Sequence, residues 1–212
     1  MKQFSTQLRS LCGAALFGAT LLVAGQSLAA PGQPLVYGQT YSIQNGYQNG
    51  QGGFLDTRGS GCEANFLCVS TASVPNRANG SGTWKILSAS GKPVGMPVAP
   101  GDDVHLFNMQ AGWGGYLDTA YNGCEDNFFC VSTAFSSNRD QGTGIWKVLP
   151  NGSTGAPLVE GQPLHLLNGY AGFNVGFLDV KGQGCEGNLF CVSTSLRWDR
   201  EAGSATWRFY AQ

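Results

Sequence analysis

The sequence predicts an all-β protein with three-fold internal symmetry, closed on itself. Repetition is the first observation behind this. Gly53-Phe54-Leu55-Asp56-Thr57, Gly61-Cys62-Glu63, Cys68-Val69-Ser70-Thr71, Arg77 and Trp84 form one ordered phrase. It returns as Gly115-Tyr116-Leu117-Asp118-Thr119, Gly123-Cys124-Glu125, Cys130-Val131-Ser132-Thr133, Arg139 and Trp146. It returns again as Gly176-Phe177-Leu178-Asp179-Val180, Gly184-Cys185-Glu186, Cys191-Val192-Ser193-Thr194, Arg200 and Trp207. Three copies about sixty residues apart, almost unchanged in length, fit a closed three-fold object better than an open solenoid. The second observation is the period-two alternation of short segments bounded by Gly, Asn and Pro, with no helical spacing between caps. The third is one cysteine pair per copy at identical spacing.

The chain opens with a segment expected to lie outside the fold. Lys2 and Arg9 make a basic start, Leu11 to Gly25 is an apolar run, and Ser27-Leu28-Ala29 is a small-residue cleavage pattern. This reads as a secretory signal peptide over 1–29, with a single domain over 30–212. The apolar run is shorter than the roughly 20 residues a membrane span needs. Repeat boundaries are expected at about 35–98, 99–158 and 159–212. Without the leader, ten basic residues stand against thirteen acidic ones, so nothing forms the basic stripe that nucleic-acid binding requires. Few charges and many Gly, Asn, Ser, Thr and aromatic residues suit a neutral ligand such as a sugar, and also suit a turn-rich β protein.

Each copy supplies four strand segments. The first ends in Asn: Tyr41–Asn45, Val104–Asn108 and Leu164–Asn168. A Gly/Asn-rich turn leads to the second at Phe54-Leu55, Tyr116-Leu117 or Phe177-Leu178. The third contains Cys68-Val69-Ser70 or its equivalents, and the fourth starts at Trp84, Trp146 or Trp207. The repeated Leu, Val and Trp positions are the expected core. Cys62, Cys68, Cys124, Cys130, Cys185 and Cys191 allow many pairings, and the repeat symmetry favours each copy closing its own pair. A metal site would want closer cysteines with histidines near by, whereas His105 and His165 lie far from them in sequence. The disulfides imply an oxidising, extracellular or periplasmic setting.

Three repeats of four strands, with Gly-aromatic-Leu on the second and Trp-x-aliphatic on the fourth, resemble a β-trefoil over essentially the whole mature chain. The Gly-x-Tyr-Leu and Trp-x-Ile phrases are similar to fascin-like trefoils. Leu-Asp-Thr and Leu-Asp-Val resemble ricin-type lectin domains, where the aspartate accepts hydrogen bonds from sugar hydroxyls. The Gln two positions before Trp in that pattern is absent; Gly82, Gly144 and Ala205 stand there. A three-sided β-prism is the structural runner-up.

Asp56, Asp118 and Asp179 follow an apolar pair on a short strand, which points them away from the core. There they can accept paired sugar hydroxyls, or tie down a Gly-rich turn. Asn45, Asn108 and Asn168 can supply an amide to the same site or fix the turn. Tyr47, Trp113 and Tyr170 (or Phe173) are the loop aromatics that would stack on a pyranose. Glu63, Glu125 and Glu186 are expected to pair with Arg77, Arg139 and Arg200, and Asn65, Asn127 and Asn188 to serve turns.

A glycosidase needs two carboxylates set across one cleft, which three equivalent surface sites do not suggest. The expectation is a secreted, non-enzymatic carbohydrate-binding protein with up to three shallow sites, no cofactor, no metal and no membrane span. The alternatives are a structural extracellular protein, or a protein-binding trefoil (a protease inhibitor or toxin component). The latter would use Leu196, Arg197 and Trp198, the point where the third copy departs from the other two.

Overall fold

A computed structural model describes residues 32–152 and 157–212. The expected signal peptide lies outside the described residues. The described chain is all-β, with twelve strands, four in each copy. They are β1 (Thr40–Asn45), β2 (Phe54–Ser60), β3 (Leu67–Ala72) and β4 (Trp84–Ser88) in the first copy. The second holds β5 (Asp103–Asn108), β6 (Gly115–Asn122), β7 (Phe129–Ala134) and β8 (Trp146–Pro150). The third holds β9 (Leu164–Asn168), β10 (Phe177–Gln183), β11 (Phe190–Ser195) and β12 (Trp207–Ala211). Short helical turns also occur, after β1, β5 and β9 and at each first cysteine.

First and fourth strands build a barrel. Each neighbouring pair in the cycle β1, β4, β5, β8, β9, β12 is antiparallel, and β12 returns to β1. A ring of strands has no free edge for another chain to pair with. Alternation decides what faces inward: Ile43, Leu106 and Leu166 are fully buried, as are Trp84, Trp146 and Trp207. Each indole N–H donates to the carbonyl of Leu55, Leu117 or Leu178 at 2.8–2.9 Å, so the large rings enter the core without an unpaired donor. One end of the barrel is closed by Leu35, Val98 and Leu158. The Leu35 N–H donates to Leu158, Leu158 to Val98, and Val98 back to Leu35.

The hairpins β2–β3, β6–β7 and β10–β11 cover the other end. Their inner strands meet pairwise at Cys68–Ser132, Cys130–Ser193 and Cys191–Ser70. One member of every disulfide therefore sits where two copies join. The bonds are Cys62–Cys68, Cys124–Cys130 and Cys185–Cys191, with Cα atoms 5.0 Å apart, as the repeat symmetry requires. Gly53, Gly115 and Gly176 begin the hairpins at φ +80 to +94. A Cβ there would meet the carbonyl of Ala72, Ala134 or Ser195 at under 3 Å, so both space and φ demand glycine.

Candidate functional site

The three aspartates are not at the surface. Asp56, Asp118 and Asp179 are 0% exposed, each inside a cage of donors. Arg77, Arg139 and Arg200 pair with them at 3.0–3.1 Å and also donate to the backbone of Thr57, Thr119 and Val180. Ser81 and Ser204 donate to the second oxygen of Asp56 and Asp179 at 2.6 and 2.7 Å. Thr143 takes the serine's place beside Asp118, where the Oδ2 has no hydrogen-bond partner of good geometry. Burial pushes the carboxyls of Asp118 and Asp179 above the ordinary range, against the pull of Thr143 and Arg139, and of Ser204 and Arg200.

The last donor in each cage comes from another copy. The Asn65 amide reaches Asp118, Asn127 reaches Asp179, and Asn188 returns to Asp56, at 3.2–3.3 Å. The same amides donate to Ser132, Ser193 and Ser70. These asparagines, expected to serve turns, tie each repeat to the next. Arg200 does not take the glutamate expected of it, pairing with Asp179 and Glu201. Glu186 instead lies 3.8 Å from the Cys62 sulfur of the first copy.

Asn45, Asn108 and Asn168 are also fully buried. Each donates at 2.8 Å to a carbonyl of the preceding copy, at Ser204, Ser81 and Thr143. Each accepts the N–H two residues on, at Tyr47, Gln110 and Tyr170. Neither the aspartates nor these amides are exposed in the folded molecule. A carboxylate read as outward-facing is inward because a cation and an amide from distant sequence make its burial tolerable.

The predicted aromatics do lie at the surface. Tyr47 stands edge-on to Phe190 at 5.5 Å, and Tyr170 to Phe129 at 5.8 Å. Both half-buried tyrosines therefore mark seams between copies. Around Tyr47 the seam opens into a cleft of about 280 Å³, shared with Lys181, Gln183, Arg200 and Glu201. In the second copy Gln110 takes the tyrosine's place, and its side-chain carbonyl accepts from Thr57 at 3.3 Å. Trp113 is 53% exposed, its ring edge against Phe107 at 5.1 Å. The structure thus separates the expected site: its aromatics line seams and loops, and its carboxylates and amides brace the interior.

Two further hollows were not visible in the sequence. One, of about 160 Å³, lies where the hairpins meet and is lined by the three disulfides, Val69, Val131, Val192 and Glu186. The other, of about 310 Å³, lies between the Asp126–Phe128 turn and the Ser195–Arg197 loop. Leu196 and Trp198 beside it are 64% and 57% exposed. Among the described residues no helix is long and apolar enough to cross a membrane.

No protein-family model matches the sequence, and no curated protein matches it. Solved structures do share its fold. The SDF2-like protein from Arabidopsis thaliana is similar at a TM-score of 0.64 and 17% identity, covering 83% of this chain and 94% of its own. The receptor binding domain of botulinum neurotoxin D is similar at a TM-score of 0.58 and 13% identity, covering 84% of this chain and 42% of its own. The S. cerevisiae protein O-mannosyltransferase complex bound to the sugar donor matches at a TM-score of 0.60 and 14% identity, over 87% of this chain and 26% of its own.

Proposed function

We propose that the chain is a secreted β-trefoil that binds carbohydrate at shallow clefts between its repeats, with Tyr47 and Tyr170 as the stacking platforms. The observation that carries this reading is the recurrence of one arrangement at two seams, a half-buried tyrosine braced edge-on by a phenylalanine of the preceding copy's hairpin. A ring held this way presents an apolar face at little entropic cost. At Tyr47, Gln183 and Glu201 line the same cleft and supply polar groups for hydroxyls. The six-strand ring with its three-hairpin cover supports the trefoil assignment. Structural relatives that include a toxin receptor binding domain and a mannosyltransferase bound to its sugar donor support a binding role. Three disulfides fit an oxidising compartment, in keeping with export.

The reading is of a binding protein and not a catalyst. Both histidines spend Nδ1 on a backbone carbonyl, at Gly144 and Ala205. Single shallow sites bind weakly, and several engaging one glycan surface can raise avidity by about 10²–10⁴. A glycan array on the oxidised protein tests the reading, run beside a variant carrying Tyr47→Ala and Tyr170→Ala. Binding lost in the variant at unchanged melting temperature is expected. No binding by the wild type would end the carbohydrate reading.

A further inference from the structure

The third repeat holds a group that the scaffold does not use. His165 lies on β9 between the core residues Leu164 and Leu166, and is only 3% exposed. Its Nδ1 sits 2.8 Å from the carbonyl of Ala205. A carbonyl only accepts, so in the neutral ring Nδ1 carries the hydrogen and Nε2 is a bare acceptor. That Nε2 is buried with no hydrogen-bond partner. The Trp198 ring packs edge-on against the imidazole at 5.2 Å between centroids, and Phe177 does so at 6.0 Å. Burial also lowers the imidazole pKa, which keeps the acceptor form at neutral pH.

The other copies show that folding does not require this. His105 makes the same contact in the second copy, 2.8 Å to Gly144, but Ser137 stands where Trp198 would be. The first copy has Ser42 and Pro75 at the two positions. Trp198 itself is 57% exposed, and its indole N–H donates to no other described residue. The loop is held by other atoms: Arg197 N–H on the Ser195 hydroxyl, and Gly203 N–H on Asp199. The indole can therefore turn away from the imidazole without breaking either of these bonds.

We propose that His165 and Trp198 form one saccharide subsite peculiar to the third repeat, where a ring hydroxyl donates to His165 Nε2 and the indole covers a face of the same sugar. A sugar ring offers apolar faces and hydroxyl edges together, which matches one aromatic plate beside one acceptor. A protein partner fits less well, because the exposed apolar side chains of the loop diverge. Leu196 lines the cleft with Phe128, whereas Trp198 lies over His165. The subsite rests on the carbohydrate reading above, but on different residues from the tyrosine clefts.

The test uses the full oxidised domain and the methyl glycosides of common hexoses, with the strongest array ligand as a second probe. His165→Asn keeps an amide donor for the Ala205 carbonyl and deletes the Nε2 acceptor. Trp198→Ala deletes the plate, and Trp198→Phe restores a smaller one. Affinity is expected to fall at least about tenfold in His165→Asn and Trp198→Ala, and to recover largely in Trp198→Phe. The ¹⁵N resonance of His165 Nε2 in the wild type should shift on titration while that of His105 stays still. This readout needs no variant to fold. Sugar binding that ignores both substitutions, with a still His165 resonance, overturns the subsite and leaves the carbohydrate reading standing. A wild type that binds no sugar overturns both, as does a loop that engages only a protein such as trypsin through Arg197.

Discussion

The inside and the rim of this molecule follow different rules. Inside, the bracing groups are written three times: Asp with Arg, Asn, and Ser or Thr around it, and a tryptophan with its indole on a leucine carbonyl. On the rim the copies diverge. Tyr47 and Tyr170 correspond to Gln110, and Trp198 corresponds to Pro75 and Ser137. Three-fold repetition here marks what holds the fold, and departure from it marks where a ligand can be told from solvent.

The sharpest way to break that contrast is to remove one interior cation. Arg200→Ala leaves the buried Asp179 carboxylate with neutral donors only, and should cost about 3 kcal/mol in urea unfolding. The corresponding change at Arg77 should cost a similar amount. A pair of substitutions, Cys62→Ser with Cys68→Ser, should remove roughly 2 kcal/mol on the chain-entropy account of a short loop. Asn127→Ala deletes one cross-repeat amide and should cost about 1 kcal/mol. At the bottom of the series, Trp113→Ala or Leu196→Ser on the rim should stay within about 0.5 kcal/mol of wild type. Rim substitutions as costly as interior ones would erase the distinction.

Acidity sharpens it further. Burial holds Asp118 and Asp179 above the usual carboxylate value of about 3.9, so the folded state takes up their protons at a higher pH than the unfolded chain. Their contribution to stability is full below that unfolded value and is lost as pH rises through the raised folded values. Asp102 has the opposite sign. Burial pushes it up, but hydrogen bonds from Lys92, the Ala99 N–H and Tyr37 bring it below the ordinary value. Its contribution holds above the unfolded value and is lost as pH falls through the lowered one. In a His165→Asn background, which removes the opposing loss from the lowered imidazole, urea midpoints should therefore rise as pH falls from neutral toward about 4. Asp118→Asn combined with Asp179→Asn should flatten that rise. An unchanged slope would show that these carboxyls are not its source.

Much of the fold was legible because it was repeated. Strand segments, the tryptophan core and the cysteine pairing all follow from matching three copies. The site was less so. Asp56 looked outward because a strand's alternation ignores what lies across the fold. Its cation comes from Arg77 and its amide from Asn188, in another copy. The clue was present, since Asp, Arg and Asn recur in step, but the arginines were assigned to the glutamates. His165 carried no signal by itself, since its meaning depends on Trp198, a residue of the one loop that breaks the pattern.

The amide clasps run from first copy to second, second to third, and third back to first. A cycle of that kind has no first member, and the first described strand is already paired to the last where Tyr41 faces Ala211. The order in which the ribosome delivers the three copies is then immaterial to the finished object. A gene cut between β4 and β5 and rejoined through its old ends should give the same barrel. A gene for one copy alone would make a subunit whose unmet bonds are answered by two more of itself.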